Sequence, residues 1–366
     1  MNQEFGYWVR SNRPRIGKEA IMKRIGFSML SALLVMGIFL GGIASGQSKA
    51  LAAEPYLIKM NIPGPPSPPS THTVSWGAAL LAKKLEQNSG GRLKVKIYWM
   101  GSLYKDDATQ FAALKDNIIQ MCEVSGGRLG LEVPASFLPA LPFAFSDMNH
   151  VHRFLYGKSF KLFEPYYAER GYKLGALWQY GMQNFLCSKR FLAKPEDFKG
   201  IKLRVRQSKL AASTMQAFGA SAQAIPYMET YTALQLGTVD GAELALGAAH
   251  HVKWHELTDY ITMSRHSLLY CSILINPDFY NGLPPDLKKI MDDTIKDVKE
   301  FLFTYQEDSE HKMPWIMMSE RPSIQFKWLT EKERAALKEK TKPVWDEYTK
   351  RIPKNLLDAL EETRTK

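Results

Sequence analysis

Leu93-Lys94-Val95-Lys96-Ile97-Tyr98 alternates apolar and polar side chains without a break, the period of a half-buried strand. Just before it, Gly90-Gly91 ends a segment in which Trp76, Ala78, Leu81, Ala82 and Leu85 recur at helical spacing, because glycine enters the left-handed conformation at little cost. Further back, Leu57 to Ile62 alternates more weakly, and five prolines over residues 63–69 force an extended loop, after which Ser70 and Thr71 can cap the helix. Strand, helix, strand is the start of an α/β domain.

The alternation continues along the chain. Helices are expected over 106–114, 148–154, 160–170, 210–218 and 228–236, and strands over 121–124, 173–178, 201–205, 222–225 and 239–244. The last third changes character. Leu287, Ile290, Met291, Ile295, Val298 and Leu302 share one face of a long helix over 286–305, and 331–364 reads as two more helices. A chain of 366 residues with this order predicts two lobes. The expectation is an α/β, two-lobed periplasmic-binding-protein-like clamp with hinge strands and long C-terminal helices lying across both lobes.

The sequence is 45% apolar and 23% charged, enough to bury a core. Of its net charge of +11, residues 1–52 supply +5 through seven basic side chains and two acids, so the rest carries only +6. No basic run interleaved with aromatics follows a phosphate backbone, and nucleic acid is excluded as a partner. Lys23-Arg24, the apolar run Ile25 to Ile43 and the small residues ending in Ala50-Leu51-Ala52-Ala53 have the order of a secretory signal. Residues 1–52 are therefore read as a signal peptide, with Met22 as an alternative start and an uncleaved anchor as the alternative fate. Cys122, Cys187 and Cys271 sit far apart in apolar surroundings and read as buried small hydrophobes, with one pairing left open.

Two stretches carry chemistry. In Gly200-Ile201-Lys202-Leu203-Arg204-Val205-Arg206 the three cations share one face of a strand, which is either an edge strand's solvated face or a guanidinium presented to a carboxylate. His250-His251, His255 and Glu256 form the one metal-like cluster: His251 and His255 are spaced to share a helix face, but no third ligand is apparent. No G-x-S-x-G elbow, P-loop or G-x-G-x-x-G follows a strand, and Cys187 has no base nearby in sequence. Nothing here specifies an enzyme.

Five ordered segments are distinctive together: Gly90 to Val95, Gly101-Ser102-Leu103, Leu141 to Asp147, Pro195-Glu196-Asp197-Phe198-Lys199-Gly200-Ile201-Lys202-Leu203-Arg204-Val205, and Glu229 to Glu243. Over residues 56–345 the chain resembles the dicarboxylate-type (DctP-like) solute-binding proteins of tripartite ATP-independent periplasmic (TRAP) transporters. The resemblance implies an exported protein that closes on a small organic acid and delivers it to the membrane subunits of a TRAP permease. It places the carboxylate-binding arginine at Arg204 and leaves Lys202 and Arg206 as solvated or supporting charges, Arg206 standing where relatives often have Pro. Gln183 occupies a position where many relatives carry a second basic or polar side chain, Leu244 one where some place Asn or Trp, and Tyr227 one of an aromatic or apolar wall. Thr71, His72, Trp178 and Glu243 are further lining candidates.

The expected partition is 56–180 with about 267–308 in one lobe and 181–266 with about 309–366 in the other. The expected protein is a monomeric, periplasmic binding protein without cofactor or metal. Two competitors stand beside it: a periplasmic metal-dependent enzyme built on His251 and His255, and a ligand-sensing module reporting to a receptor. The leader reading predicts that intact-mass analysis of the periplasmic fraction finds a chain starting near Ala53 or Glu54. A full-length species confined to the membrane would establish the anchor instead.

Overall fold

A computed structural model describes residues 54–66 and 73–364. The leader, Met22, Thr71 and His72 lie outside these described residues. Eleven strands run in chain order as β1 Tyr56–Asn61, β2 Leu93–Tyr98, β3 Met121–Ser125, β4 Lys173–Met182, β5 Asn184–Cys187, β6 Lys202–Val205, β7 Ser221–Ala224, β8 Gly241–Leu244, β9 Tyr260–Met263, β10 Leu268–Ile275 and β11 Gln325–Trp328. They form two sheets of order β2-β1-β3-β10-β4 and β11-β9-β5-β8-β6-β7. In the first, β1 is parallel to β2 and β3, and β10 is antiparallel to β3 and β4. In the second, β6 runs parallel to both β7 and β8, so the basic strand is interior and not an edge.

Each sheet carries its own core. In the first lobe, Ile58, Met60, Trp178 and Ile273 pack on Ala78, Leu81 and Leu85 of helix Thr73–Asn88 and on Leu287, Val298 and Leu302 of helix Pro285–Glu320. In the second lobe, Leu186, Ala242 and Ile261 pack on Trp254 and on Met313 and Met317 of the same long helix. One helix therefore serves both lobes. The apolar stripe that marks 286–305 in the sequence breaks at Gln306 and Glu310, which are buried and hydrogen-bonded, and resumes at Met313, so the helix runs beyond the expected end. Gln306 bonds the Thr73 hydroxyl, and Glu310 Oε1 accepts the backbone N–H of Met182 at 2.8 Å.

Prolines shape the end of the chain. The expected two helices are three, Glu331–Lys340, Lys342–Tyr348 and Lys354–Glu362; Pro343 lies in the first turn of the second, and Pro353 caps the third, where a missing N–H costs nothing. Val344, Tyr348, Leu356 and Leu360 join Phe137, Leu138, Phe154 and Leu274 in one core cluster, so residues 342–362 pack with the first lobe, although the sequence placed all of 309–366 in the second. Their apolar faces meet the ring-rich surface that Phe137 and Phe154 present, as the edge-to-face contact of Phe137 with Tyr348 shows. The expected helix over 160–170 is a 3₁₀ turn, Lys158–Leu162, followed by a short helix Glu164–Ala168, with Pro165 in its first turn. Cys122, Cys187 and Cys271 are buried and unpaired. Among the described residues, no helix is long and apolar enough to cross a membrane.

The chain passes between lobes at Gln183, the single residue between β4 and β5, and at Ser264–Ser267 between β9 and β10. The two crossings pair: Gln183 N–H donates to Ser267 O at 2.8 Å and His266 N–H to Gln183 O at 3.2 Å. Gly181 precedes the first crossing with φ +109°, and a Cβ there would lie 2.0 Å from Glu310 Oε1. Gly237, at φ +68°, has open space around it. Gly181→Ala should therefore cost about 2 to 4 kcal/mol, the conformational penalty plus a clash, and Gly237→Ala about 1 to 2. Urea denaturation of both variants checks this; equal losses would mean that Gly181 is required for its backbone alone.

Candidate functional site

Between the two lobes lies a cavity of about 500 Å³. The second lobe contributes Arg204 and Arg206 from β6 and the residue after it, Ile225, Tyr227 and Leu244; the first contributes Tyr104, Gln110, Glu123, Arg128 and Tyr180. β6 sets the key side chain. Leu203 and Val205 enter a core with Phe185, Phe198 and Met215, so alternation sends Arg204 to the opposite face.

Arg204 is 3% exposed. Its Nε donates to Ile225 O at 3.0 Å, and its guanidinium carbon lies 5.2 Å from the centre of the Trp254 ring. Both Nη groups lack a hydrogen-bond partner among the described residues. Burial lowers its pKa to about 10, so it stays charged at neutral pH. A guanidinium held by one edge, backed by an aromatic face and open at its fork is suited to two parallel bonds from a carboxylate.

Arg206 lines the same cavity but is engaged. Its Nη1 donates to Gln183 Oε1 at 2.5 Å and to Glu243 Oε1 at 3.2 Å. Glu243 Oε2 accepts from Gln183 Nε2 at 2.9 Å and from His266 Nε2 at 3.0 Å. Burial opposes a charge on Glu243, but Arg206 and His266 outweigh it and hold the carboxyl below its usual range. Burial likewise holds His266 low, against the pull of Glu243.

This network relocates two of the expected lining residues. Gln183 and Glu243 are not on the cavity wall; they brace Arg206 behind it, since a buried carboxylate must satisfy its oxygens inward. Trp178 is also off the wall, completely buried in the first-lobe core. Tyr227 and Leu244 do line the cavity, and Lys202 is exposed on the outside. Glu123 and Tyr180 on the wall, and Trp254 buried behind Arg204, had no recognised signature. Glu123 left a trace, a lone acid within the apolar run Met121-Cys122-Glu123-Val124.

The charge balance of the wall is informative. Arg128 pairs with Asp107 at 2.7 Å and Arg206 with Glu243, while Glu123 accepts from Tyr180 Oη at 3.2 Å. Burial raises the Glu123 pKa to about 7. Elsewhere, the helix Leu246–His251 ends too early for His251 to meet His255; His250 does so instead, together with Glu320.

The model of the bacterial extracellular solute-binding proteins, family 7 (DctP), matches residues 67–351. The C4-dicarboxylate-binding periplasmic protein DctP of Rhodobacter capsulatus is 28% identical over 329 residues, covering 89% of this chain and 97% of that protein. A TRAP periplasmic solute-binding protein from Desulfovibrio salexigens, solved with bound orotic acid, superposes with a TM-score of 0.75 at 26% identity, over 84% of this chain and 98% of the other. A second from Desulfovibrio desulfuricans, with bound sn-glycerol-3-phosphate, gives 0.78 at 25% identity, over 85% and 98%.

Glu123 generates a pH prediction. Its carboxyl lines the same cavity as Arg204, and above a pKa of about 7 it adds a negative charge to that wall. Affinity for a carboxylate should fall as pH rises through 7, and Glu123→Gln should remove that fall. Titration calorimetry from pH 6 to 8 checks it; an unchanged slope in the variant would place the titrating group elsewhere.

Proposed function

The chain belongs to the bacterial extracellular solute-binding proteins, family 7, and from that premise we propose that it captures one small organic acid between its lobes and delivers it to the membrane subunits of a TRAP permease. The observation that carries this reading is Arg204, a buried guanidinium at the cavity wall whose fork is open. Exported as a monomer to the periplasm, it needs no cofactor and meets no nucleic acid. It is read as a binder and not an enzyme: the family is one of solute-binding proteins, and two of the cavity's cations, Arg128 and Arg206, are taken up in ion pairs with Asp107 and Glu243.

The ligand is a monoanion with a largely apolar body. Four basic and four acidic side chains line the cavity, and Arg128 and Arg206 already have carboxylate partners. Beyond Arg204 a second ligand carboxylate would find only Lys105, an exposed ammonium, and no buried guanidinium free to pair with it, so burying it would cost several kcal/mol. Leu244, Leu269 and the ring of Tyr227 suit an apolar body. The lobes are proposed as 56–180 with 267–308 and 181–266 with 309–341, with 342–362 joining the first; the shared core of Val344 and Leu356 with Phe137 supports the last assignment.

Arg204→Ala should weaken binding by about 2 to 5 kcal/mol, roughly thirtyfold to several thousandfold, with the fold intact. Arg204→Lys should also bind poorly, because an ammonium cannot reproduce the fork. Calorimetry within a few fold of the native protein for Arg204→Ala would refute the anchor. In a thermal-shift panel at equal concentrations, 2-oxo, aromatic or branched monocarboxylates should give the largest rise, whereas a largest rise with succinate, malate or fumarate would show that Arg206 or Arg128 is released to serve a second carboxylate.

A further inference from the structure

Away from the ligand cavity, three side chains from separate segments meet at one point. His250 ends the helix Leu246–His251, His255 sits in the turn Trp254–Leu257, and Glu320 is the last residue of the long helix. His250 Nε2 lies 2.9 Å from Glu320 Oε2 and His255 Nε2 lies 3.3 Å from the same oxygen. The two imidazoles are stacked, with centres 4.9 Å apart and planes 23° apart. One ligating atom from each residue falls within 4.8 Å of the other two.

We propose that His250, His255 and Glu320 form a binding site for one zinc-type divalent cation. Bonds of about 2.0 to 2.2 Å from nitrogen and oxygen to a tetrahedral zinc put neighbouring ligand atoms about 3.4 Å apart, close to the spacings of Glu320 Oε2 from the two rings. Two imidazoles and one carboxylate select such an ion over calcium or magnesium, which require oxygen shells. Three protein ligands leave the fourth position to water, and Glu320, about half exposed, gives an entry path. The nearest cations do not compete for the carboxylate: Lys253 Nζ sits on Glu256 Oε1 at 3.0 Å, and Arg321 is paired with Asp259.

The site has a structural consequence. It ties the end of the helix shared by both lobes to the segment carrying Trp254, whose ring backs Arg204 and lies 5.6 Å from that of Tyr227. Ala248, two residues before His250, lines the ligand cavity. A bound ion therefore stiffens the wall behind the anchor and stabilises the folded state that binds it.

The test uses the full mature chain, without a polyhistidine tag, stripped with EDTA and titrated with zinc chloride. Calorimetry should find one ion per chain, and cobalt substitution should give the visible absorption of a tetrahedral site. His250→Ala and Glu320→Gln, both on partly exposed side chains, should each weaken zinc binding tenfold or more while the metal-free thermal midpoint stays near that of the native protein. His251→Ala should bind as the native chain does. Absence of stoichiometric zinc in the native chain, an unchanged affinity in both His250→Ala and Glu320→Gln, or an equal loss in His251→Ala would overturn the assignment. None of these outcomes depends on the organic acid or on Arg204.

Discussion

The carboxylate of Glu243 is buried on β8 beside the point where the chain crosses between lobes, and most of the site follows from the need to satisfy it. Removing an unpaired charge from water costs several kcal/mol, so the surrounding side chains are drawn inward to it. Arg206 supplies the charge, and Gln183 and His266 supply hydrogen bonds from the two crossing segments. His266 is itself fixed by stacking on Phe185 at 4.3 Å and by Ser264 at 2.8 Å from Nδ1. Because Arg206 is committed in this way, Arg204, two residues earlier on the same strand face, is left as the open guanidinium. The lobe crossing and the candidate site are thus one electrostatic arrangement.

The long helix supplies a second constraint on the same region. Its apolar stripe packs on the first lobe as far as Leu302 and on the second from Met313. Between them Gln306 and Glu310 face the hinge backbone, where apolar side chains would leave the Met182 N–H unsatisfied. Burial pushes the Glu310 carboxyl up to about 7, so near neutrality it can serve the hinge without a full charge. The sign follows from the raised value: its contribution is complete below the ordinary carboxyl range near 4.5 and is lost as pH rises through about 7.

Local patterns carried the architecture. The β1-helix-β2 start, the alternation at β6 and the capped helix Lys209–Phe218, with Ser208 before it and Gly219 after it, were legible because each depends on neighbours in sequence. The full length of helix Pro285–Glu320 was not, since its buried polar turn takes its meaning from Thr73 and Met182, far away along the chain. The candidate site divides the same way. Alternation put Lys202, Arg204 and Arg206 on one strand face without choosing among them, and Arg204, Tyr227 and Leu244 were singled out only by the family resemblance. Gln183, Glu243 and Trp178 were misplaced because strand alternation does not tell a wall residue from the brace behind it. Glu123 reaches the cavity, and Trp254 the back of Arg204, only through tertiary contact, and the His250, His255 and Glu320 cluster joins residues 70 positions apart.

The central claim is that Glu243 occupies Arg206 so that Arg204 alone receives the ligand. A crystal structure of the protein with the small molecule that co-purifies from its own host tests it most directly. The account predicts one ligand carboxylate in two parallel bonds with Arg204, with Arg206 still on Glu243 and Gln183. A carboxylate seated on Arg206 or Arg128, with Arg204 out of contact, would contradict it.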